Sequence, residues 1–241
     1  MQDTEFSPEQ HKTWAELYRR QLPKIQEHAS SLYLEGFEKL DLPPEHIPTL
    51  DHLNSKIPAA TGWTVIRTDI RFTESDDWYR FFDRKEFLIT NYMRSWEELD
   101  WTPEPEMFHD IFGHLPLFML PEYAELQEMF APAYLASTDD EEKENIKRLA
   151  WYSTEFGMIT ENGVMKGFGT GLMSGGDELT NAAEGKLEYE PFTLDNVLGK
   201  DKVMYEQHDH LYVIESLDQC KAEIAKYFDP ILAGGSAGSS A

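Results

Sequence analysis

Apolar and polar residues follow a helical period over most of the chain. Near the N-terminus, Ser7, Pro8 and Gln10 form a capping signal, because serine and glutamine satisfy free backbone groups and proline suits a first helical turn. Behind this signal, apolar residues at helical spacing define one buried face, formed by Trp14, Leu17, Tyr18, Leu22 and Ile25. The pattern predicts a long amphipathic helix at the start of the fold.

The same period returns in later stretches, interrupted by short runs of β-branched residues. We predict helices over 49–57, 75–93, 107–112, 121–135 and 138–158, strands over 62–69 and 211–214, and a last helix from the capping box at Ser216 and Gln219 to Phe228. The six glycines from Gly163 to Gly176 predict a short strand and a tight loop instead of regular helix. The predicted fold class is mainly α with a few short β-strands.

The chain length is consistent with one domain. It has 241 residues, 41% of them hydrophobic, which is enough for one sizeable core. We predict an N-terminal extension over 1–10 and a single folded domain over 11–229. Residues 230–241 are rich in glycine, serine and alanine and are predicted to form a flexible tail.

The charge balance excludes several classes of partner. Lys and Arg number 21 against 45 Asp and Glu, so the formal net charge is −24, which repels nucleic-acid phosphates and anionic membrane surfaces. We find no signal peptide and no stretch long and apolar enough to span a membrane, and Cys220 is the single cysteine. We therefore expect a cytoplasmic protein without nucleic-acid or membrane partners. A high-salt proteome would also produce such acidity.

Two of the eight histidines lie in a strongly apolar stretch. Burying the imidazoles of His109 and His114 costs free energy unless both find partners, and a shared metal ion would satisfy them. Five positions along a regular helix would point them apart, so we predict that the helix ends at Gly113 and lets His114 turn back. The alternative is a pair of core histidines bonded to backbone. His208 and His210 form a rival pair among charged neighbours.

A third ligand is predicted at Glu155. This carboxylate follows Trp151 and Tyr152 and precedes Phe156, and in such apolar surroundings it must be protonated, ion-paired or metal-bound. Two histidines and one carboxylate leave open positions on an octahedral ion, as in non-haem Fe(II) oxygenases. The ligand types alone also permit a zinc hydrolase.

Three sequence blocks resemble a known family. Residues 101–117, 151–157 and 169–174 occur in the order and with nearly the gaps of the pterin-dependent aromatic amino acid hydroxylases, most closely the small bacterial phenylalanine 4-hydroxylases. The resemblance implies that His109, His114 and Glu155 bind Fe(II) and that a tetrahydropterin supplies two electrons. It further implies that O₂ is the cosubstrate and that the ring of a free aromatic amino acid is hydroxylated, converting L-phenylalanine to L-tyrosine. Tryptophan, or another ring position, is the nearest alternative.

The resemblance also implies roles for residues around the iron. The substrate-binding residues would be Arg94, Thr102, Pro105, Trp151 and Ser174, and the pterin-binding residues would be Trp78 and Asp110. A guanidinium suits an α-carboxylate, although Arg94 alone would read as a surface partner of Glu97 or Glu98. Trp78 could equally belong to the core.

The sequence departs from the family pattern at three places. Ala150 stands where a tyrosine is usual, 71–74 replaces a small apolar pterin loop, and 174–177 replaces a Ser-Ser pair. These departures bear on pterin affinity and substrate choice more than on the iron site.

Two other function classes remain open from the sequence. A 2-oxoglutarate oxygenase would need a His-x-carboxylate pair on a β-barrel, which this pattern does not predict. A non-catalytic, acidic metal-binding or interaction protein would use the histidine pair structurally. We expect a monomer that binds a small aromatic amino acid.

Overall fold

The computed structural model describes residues 4–100, 106–201 and 208–234. Its elements follow one another along the chain. They are α1 Pro8–His28, α2 Ser31–Leu40, α3 Leu50–Asn54, α4 Ile57–Thr61, β1 Thr64–Thr68, α5 Ser75–Asp83, β2 Glu86–Thr90, α6 Pro121–Glu128, α7 Phe130–Ala136, α8 Asp140–Ala150, β3 Met158–Glu161, β4 Val164–Gly167, α9 Thr170–Ser174, α10 Glu178–Ala183, β5 Glu188–Pro191, α11 Leu194–Val197, β6 His210–Ile214 and α12 Leu217–Leu232. Two π-helices, His109–His114 and Trp151–Glu155, and 3₁₀ turns at Trp96–Glu98 and Leu117–Met119 complete them.

The predicted fold class is confirmed, and both predicted capping boxes start helices. The Gln10 backbone N–H donates to Ser7 Oγ at 3.2 Å, and the Ser7 N–H donates to Gln10 Oε1 at 2.8 Å. At the start of α12 the Gln219 N–H donates to Ser216 Oγ, while the Gln219 side chain accepts from the Glu215 N–H instead of the Ser216 N–H. Helix α12 continues to Leu232, and Ile231 is buried. Residues 230–232, which we predicted as part of the flexible tail, therefore belong to the packed helix.

The predicted helix over 75–93 is wrong in its second half. Helix α5 stops at Asp83, Lys85 takes a left-handed backbone conformation with φ 56°, and the chain then enters β2. This strand pairs in parallel with β1, from Thr64 opposite Glu86 to Thr68 opposite Thr90. The aromatic and aliphatic run in β2 is buried, and the backbone of β1 satisfies its hydrogen bonds, so tertiary pairing overrides the helical period.

The predicted helix over 138–158 and the glycine-rich stretch also differ from the prediction. The range 138–158 divides into α8, the second π-helix and the first residue of β3. The glycine-rich stretch 163–176 contains helix α9 as well as β4. Strand β3 pairs antiparallel with β4 and parallel with β6, which pairs with β5. Inside α9, a Cβ on Gly171 would approach the Phe156 ring at 2.6 Å. The glycine therefore serves close packing and does not break the helix.

A cluster of buried aromatic rings lies beneath the first π-helix. Phe108 and Phe112 stack with their centroids 4.6 Å apart, and Trp14 of α1 meets Phe108 edge-on at 5.3 Å. On the other side, Phe87 of β2 contacts Phe118 at 5.2 Å. This core fixes the segment that carries both predicted histidine ligands. Within the described ranges, we find no helix with the length and apolar character of a membrane span.

Candidate metal centre and cavity

The first π-helix resolves the five-residue spacing of the two histidines. We predicted that a regular helix would end at Gly113, but the turn continues through His114 in wider form. In a π-helix each N–H bonds to the carbonyl five residues earlier, so residues five apart fall on one face. His109 and His114 therefore point the same way without a break in the helix.

Close packing holds this π-helix in place. The buried Tyr33 hydroxyl donates to the Phe112 carbonyl, which lies inside the turn. A Cβ on Gly113 would lie 2.7 Å from the Thr170 carbonyl oxygen, so only glycine lets α9 approach this closely. The approach of α9 brings its hydroxyl side chains to the histidines.

The carboxylate ligand also lies on a π-helix. Helix α8 ends at Ala150, and Phe156 N–H then donates to the Trp151 carbonyl, five residues earlier, at 2.9 Å. Glu155 is the last residue of this turn. Its carbonyl lies so close to Gly169 that a side chain there would overlap it. The glycine before α9 therefore allows the carboxylate to reach the histidine pair.

The three predicted metal ligands converge. All their ligand atoms lie within 4.8 Å of one another. The two histidine Nε2 atoms are 3.0 Å apart, and Glu155 Oε1 lies 3.1 Å from His114 Nε2. Glu155 Oε2 lies 3.8 Å from His109 Nε2. The structure therefore brings the three side chains together, and their role as metal ligands stays a prediction.

Two hydroxyl groups of α9 orient the ligands from behind. Ser174 Oγ lies 2.9 Å from His109 Nδ1, which leaves Nε2 for the metal. Thr170 Oγ1 donates to Glu155 Oε2 at 2.9 Å. Ser174 was predicted as a residue of the site, in contact with the substrate. Thr170 was not predicted, although it lies in the same sequence block, 169–174.

Burial and charge set the protonation of the ligands. Burial, assisted by the neighbouring His114, lowers the pKa of His109 to about 4, so its imidazole is neutral near pH 7. Burial opposes charge on His114, but the Glu155 carboxylate outweighs it and raises the pKa of His114. Burial likewise opposes charge on Glu155, yet the two imidazoles and the Thr170 hydroxyl lower its pKa to about 2. The carboxylate is therefore ionised, as a metal ligand must be.

The donor set fits a ferrous ion. Two imidazole nitrogens and one carboxylate on one side leave several positions open on an octahedral ion, the arrangement used by non-haem Fe(II) oxygenases. Closed structural zinc sites instead use four protein ligands. Among the described residues, no other group of histidines, cysteines and carboxylates gathers so tightly.

A cavity of about 220 Å³ opens in front of the ligands. His109, His114 and Glu155 form part of its wall. Trp78 and Asp110, the predicted pterin-binding residues, also line it. Trp78 packs on Phe82 of its own helix at 4.9 Å between centroids, so it is both cavity wall and core.

Asp110, which lines the cavity, is hydrogen-bonded to strand β2. Its Oδ2 accepts the Thr90 backbone N–H at 2.8 Å. Burial raises the pKa of Asp110 to about 7, although the Thr90 hydrogen bond lowers it in part.

The mouth of the cavity is formed by the loop between β1 and α5. Ile70 and Phe72 are 58% and 59% exposed, and both line the cavity. Between them, the Arg71 guanidinium lies 3.7 Å from the Tyr92 ring centroid.

Arg94 does not form the predicted alternative pair with Glu97 or Glu98. It is buried, and its Nε and one terminal nitrogen donate to Glu106 Oε1 at 3.2 and 2.8 Å. Glu98 instead accepts from the Ser95 backbone N–H. The charge of Arg94 also contributes to the lowered pKa of His109.

The other predicted residues divide into two groups. Trp151 packs against Phe156, with ring centroids 4.8 Å apart, and is absent from the described lining of the 220 Å³ cavity. Thr102 and Pro105 lie outside the described residues.

The rival histidine pair does not converge. His208 Nδ1 lies 2.8 Å from Glu178 Oε1, whereas His210 Nε2 lies 3.3 Å from Glu190 Oε2.

Comparisons with known proteins agree with this geometry. The family model described as "Biopterin-dependent aromatic amino acid hydroxylase" matches residues 1–233. The chain belongs to this family. A phenylalanine-4-hydroxylase of Mesorhizobium japonicum is 37% identical over 205 residues, which are 82% of this chain and 72% of that protein.

Solved structures of the phenylalanine hydroxylase of Chromobacterium violaceum share the fold of this aromatic amino acid hydroxylase. Two of them are each 28% identical to this chain and cover 98% of it. The structure with bound iron and phenylalanine has a TM-score of 0.86 and is 88% covered. The structure with bound iron(III) and 7,8-dihydrobiopterin has a TM-score of 0.87 and is 87% covered.

Proposed function

We propose that this chain is an Fe(II)- and tetrahydropterin-dependent monooxygenase that converts L-phenylalanine and O₂ into L-tyrosine. The observation that carries the proposal is the convergence of His109, His114 and Glu155 at the wall of a cavity. Membership of the hydroxylase family and the phenylalanine-4-hydroxylase relatives support the same reaction.

The chain holds the metal from one side. The neutral imidazole of His109, the imidazole of His114 and the ionised carboxylate of Glu155 would bind Fe(II), with Ser174 and Thr170 fixing the orientation of two of them. Bound iron and reduced pterin supply the site and the electrons for O₂ activation. The open face must then lie towards the cavity, since the protein occupies the other side.

Two residues are suited to the pterin. Trp78 offers an aromatic ring at the cavity wall, against which a flat heterocycle can stack. Asp110 offers a carboxylate, fixed by the Thr90 N–H, whose raised pKa lets it accept or donate a hydrogen bond near neutral pH. We propose that these two groups position the cofactor next to the metal.

The amino acid would be held by its α-carboxylate and by its ring. Glu106 fixes one edge of the Arg94 guanidinium, which still carries further N–H donors for a carboxylate. Trp151 and Phe156 would supply an aromatic wall for the ring. Ser174, Thr102 and Pro105 complete the proposed substrate contacts.

The apolar side chains of β2 next to the metal ligands help to exclude water from the site. Phe87 packs on the His114 ring at 5.0 Å between centroids, and Leu88 lines the cavity. Such a floor limits the water that reaches the metal, and exclusion of water protects a reactive oxidant from side reactions.

A product assay tests the proposal. The purified protein is loaded with Fe(II) and incubated with a tetrahydropterin, O₂ and, separately, phenylalanine, tryptophan or tyrosine. We expect tyrosine from phenylalanine, and hydroxytryptophan as the principal product would move the assignment to the alternative substrate. No hydroxylated amino acid from any of the three would refute the function.

The oligomeric state and the cellular location also stay predictions. We expect a monomer in light scattering and a cytoplasmic location in cell fractionation.

A further inference from the structure

Two stacked tyrosine rings lead from the main cavity towards the surface. The main cavity is the space of about 220 Å³ in front of the metal ligands, and Tyr79 of α5 lines it together with all three of them. Tyr79 is buried and stacks on Tyr134 of α7, with the ring centroids 4.1 Å apart and the planes inclined by 23°. The two rings are therefore in contact, and one of them borders the site where O₂ would react.

The hydroxyl of Tyr134 has a proton acceptor. It donates a hydrogen bond to Asp76 Oδ1 at 2.8 Å, and Lys143 Nζ donates to the same oxygen at 3.3 Å. The hydrogen bond from Tyr134, followed by that from Lys143, lowers the pKa of Asp76, so its carboxylate is ionised near pH 7. The Asp76 side chain is 56% exposed, which gives a proton held there a way into solvent.

Both phenols keep their protons in the resting protein. Burial, assisted by the neighbouring Tyr134, raises the pKa of Tyr79. Burial and the hydrogen bond to Asp76 raise the pKa of Tyr134 to about 12. The Lys143 ammonium lies 4.8 Å from the Tyr134 ring centroid, and this charge opposes a positive charge on the ring. Oxidation of Tyr134 is therefore favoured only when its proton leaves, and Asp76 is placed to take it.

The neighbouring indole in the cavity wall has different contacts. Trp78 packs on Phe82 and Phe87, with centroid distances of 4.9 and 5.5 Å. The benzyl ring of phenylalanine is much harder to oxidise than a phenol, so these contacts do not carry an electron onwards. The contact between Tyr79 and Tyr134 joins two oxidisable side chains and continues to an ionised carboxylate.

We propose that Tyr79 and Tyr134 form an electron-transfer route that protects the site when the oxidant made from O₂ has no amino acid to hydroxylate. One electron passes from Tyr79 to the oxidant and one from Tyr134 to Tyr79, while the phenol proton of Tyr134 moves to Asp76. Tyr134 is left as a neutral phenoxyl radical. The inference rests on the proposed function, which makes the oxidant.

The electrons come in the end from a reductant in solution. A thiol or a tetrahydropterin returns one electron to Tyr134, and Asp76 returns the proton. Two such passages reduce the oxygen atom of a two-electron oxidant to water, which takes its protons from solvent. The side chains of the cavity wall are spared, because the electron is lost from Tyr134 and not from a residue such as Trp78.

Electron paramagnetic resonance tests the route without any hydroxylation. The Fe(II)-loaded protein is mixed with hydrogen peroxide, without pterin or amino acid, and frozen within milliseconds. We expect a tyrosyl radical in the wild type and its loss in Tyr134→Phe and in Tyr79→Phe. Asp76→Asn should lower the signal about tenfold, because an amide does not take the proton. Tyr189→Phe on β5, where the hydroxyl donates to the Ala182 carbonyl, is the matched control and should keep the signal.

Peptide mapping by mass spectrometry gives the second readout. The protein is turned over with a tetrahydropterin and O₂ in the absence of an amino acid, and oxygen insertion into Trp78 is measured. We expect about threefold more insertion in Tyr134→Phe than in the wild type, since the oxidant then reacts within the cavity. With saturating phenylalanine, the tyrosine formed per tetrahydropterin consumed should be unchanged, because the oxidant is used before the route is needed.

Two results would overturn the proposal. The first is a wild type without a tyrosyl radical, or a radical that persists unchanged in Tyr134→Phe. The second is equal oxidation of Trp78 in the wild type and in a Tyr134→Phe variant with the same iron content and unfolding midpoint. If the wild type hydroxylates no amino acid, the proposed function fails, while the peroxide experiment still decides whether electrons pass from Tyr134 to the metal site.

Discussion

The two sides of the main cavity are built in different ways. On the metal side, two π-helices and α9 pack so closely that glycines at positions 113 and 169 are required by contact. On the mouth side, the loop between β1 and α5 exposes Ile70 and Phe72 over more than half of their surface. The same cavity therefore has one wall fixed by close packing and one wall whose apolar side chains are largely exposed.

This difference separates two tasks. Metal binding needs fixed geometry, because three donors must meet at one point, and buried packing supplies it. Cofactor exchange needs a route in and out, and elements with few buried contacts open at low cost. We expect substitutions on the metal side to change iron affinity and those at the mouth to change cofactor kinetics.

The largest effect should follow removal of a ligand. Glu155→Ala should no longer hold stoichiometric iron, and tyrosine formation should fall by more than about a hundredfold, exceeding the usual loss for a residue behind a ligand. Metal analysis after dialysis and a product assay measure both. Glu38→Ala, at an exposed position of α2, should retain full iron, and full occupancy in Glu155→Ala would contradict the ligand assignment.

A smaller loss is expected when the groups behind the ligands are removed. Ser174→Ala leaves His109 Nδ1 without its partner, and Thr170→Val removes the hydroxyl that donates to Glu155. Each change should weaken Fe(II) affinity by about 10- to 100-fold. Competition with a chelator measures it. Ser55→Ala, whose hydroxyl donates to the His52 carbonyl elsewhere, is the control; equal affinities in all three variants would argue against this support.

Gly113→Ala tests the close approach of α9. The new Cβ would meet the Thr170 carbonyl at 2.7 Å, so we expect the free energy of unfolding to drop by about 1–3 kcal/mol and iron affinity to fall with it. Denaturant unfolding with and without Fe(II) separates the two effects.

Gly163→Ala is the comparison for this experiment. Gly163 has φ +79° and open space around it, so alanine there should cost about 1–2 kcal/mol through backbone strain alone. Its iron affinity should stay unchanged. A parallel loss of affinity in both variants would mean that general destabilisation, not the contact with α9, governs the metal site.

The smallest effect on stability is expected at the mouth. Phe72→Ser should change the free energy of unfolding by no more than about 0.5 kcal/mol, since the side chain is exposed. Iron affinity should not change, whereas the KM for the tetrahydropterin should rise about threefold. Steady-state kinetics at varied pterin check this, and a loss of iron would show that the two walls are not independent.

Local signals predicted much of the molecule. Ser7 and Ser216 marked the helix starts, because capping depends on residues three positions apart. The cost of burying imidazoles and a carboxylate among aromatic residues without a partner marked His109, His114 and Glu155 as candidates, and the resemblance to the hydroxylases gave them the role of metal ligands.

Other parts depended on contacts that the local pattern does not contain. Strand β2 follows a helical period but pairs with β1, and α9 keeps its glycines because neighbouring backbones lie against them. The two π-helices were missed for a related reason. A wider turn costs backbone geometry, and here tertiary bonds such as Tyr33 to the Phe112 carbonyl support it.

The hydrogen bond from Thr90 to Asp110 has a consequence for coupling across the cavity. Asp110 directly follows His109 in the sequence, and its carboxylate accepts a hydrogen bond from the backbone of Thr90, the last residue of β2. A bound cofactor that displaces β2 would therefore also displace the first π-helix, which carries His109 and His114. We therefore expect cofactor binding and metal geometry to be coupled through this hydrogen bond, one residue away from His109, together with the contact between Phe87 of β2 and the His114 ring.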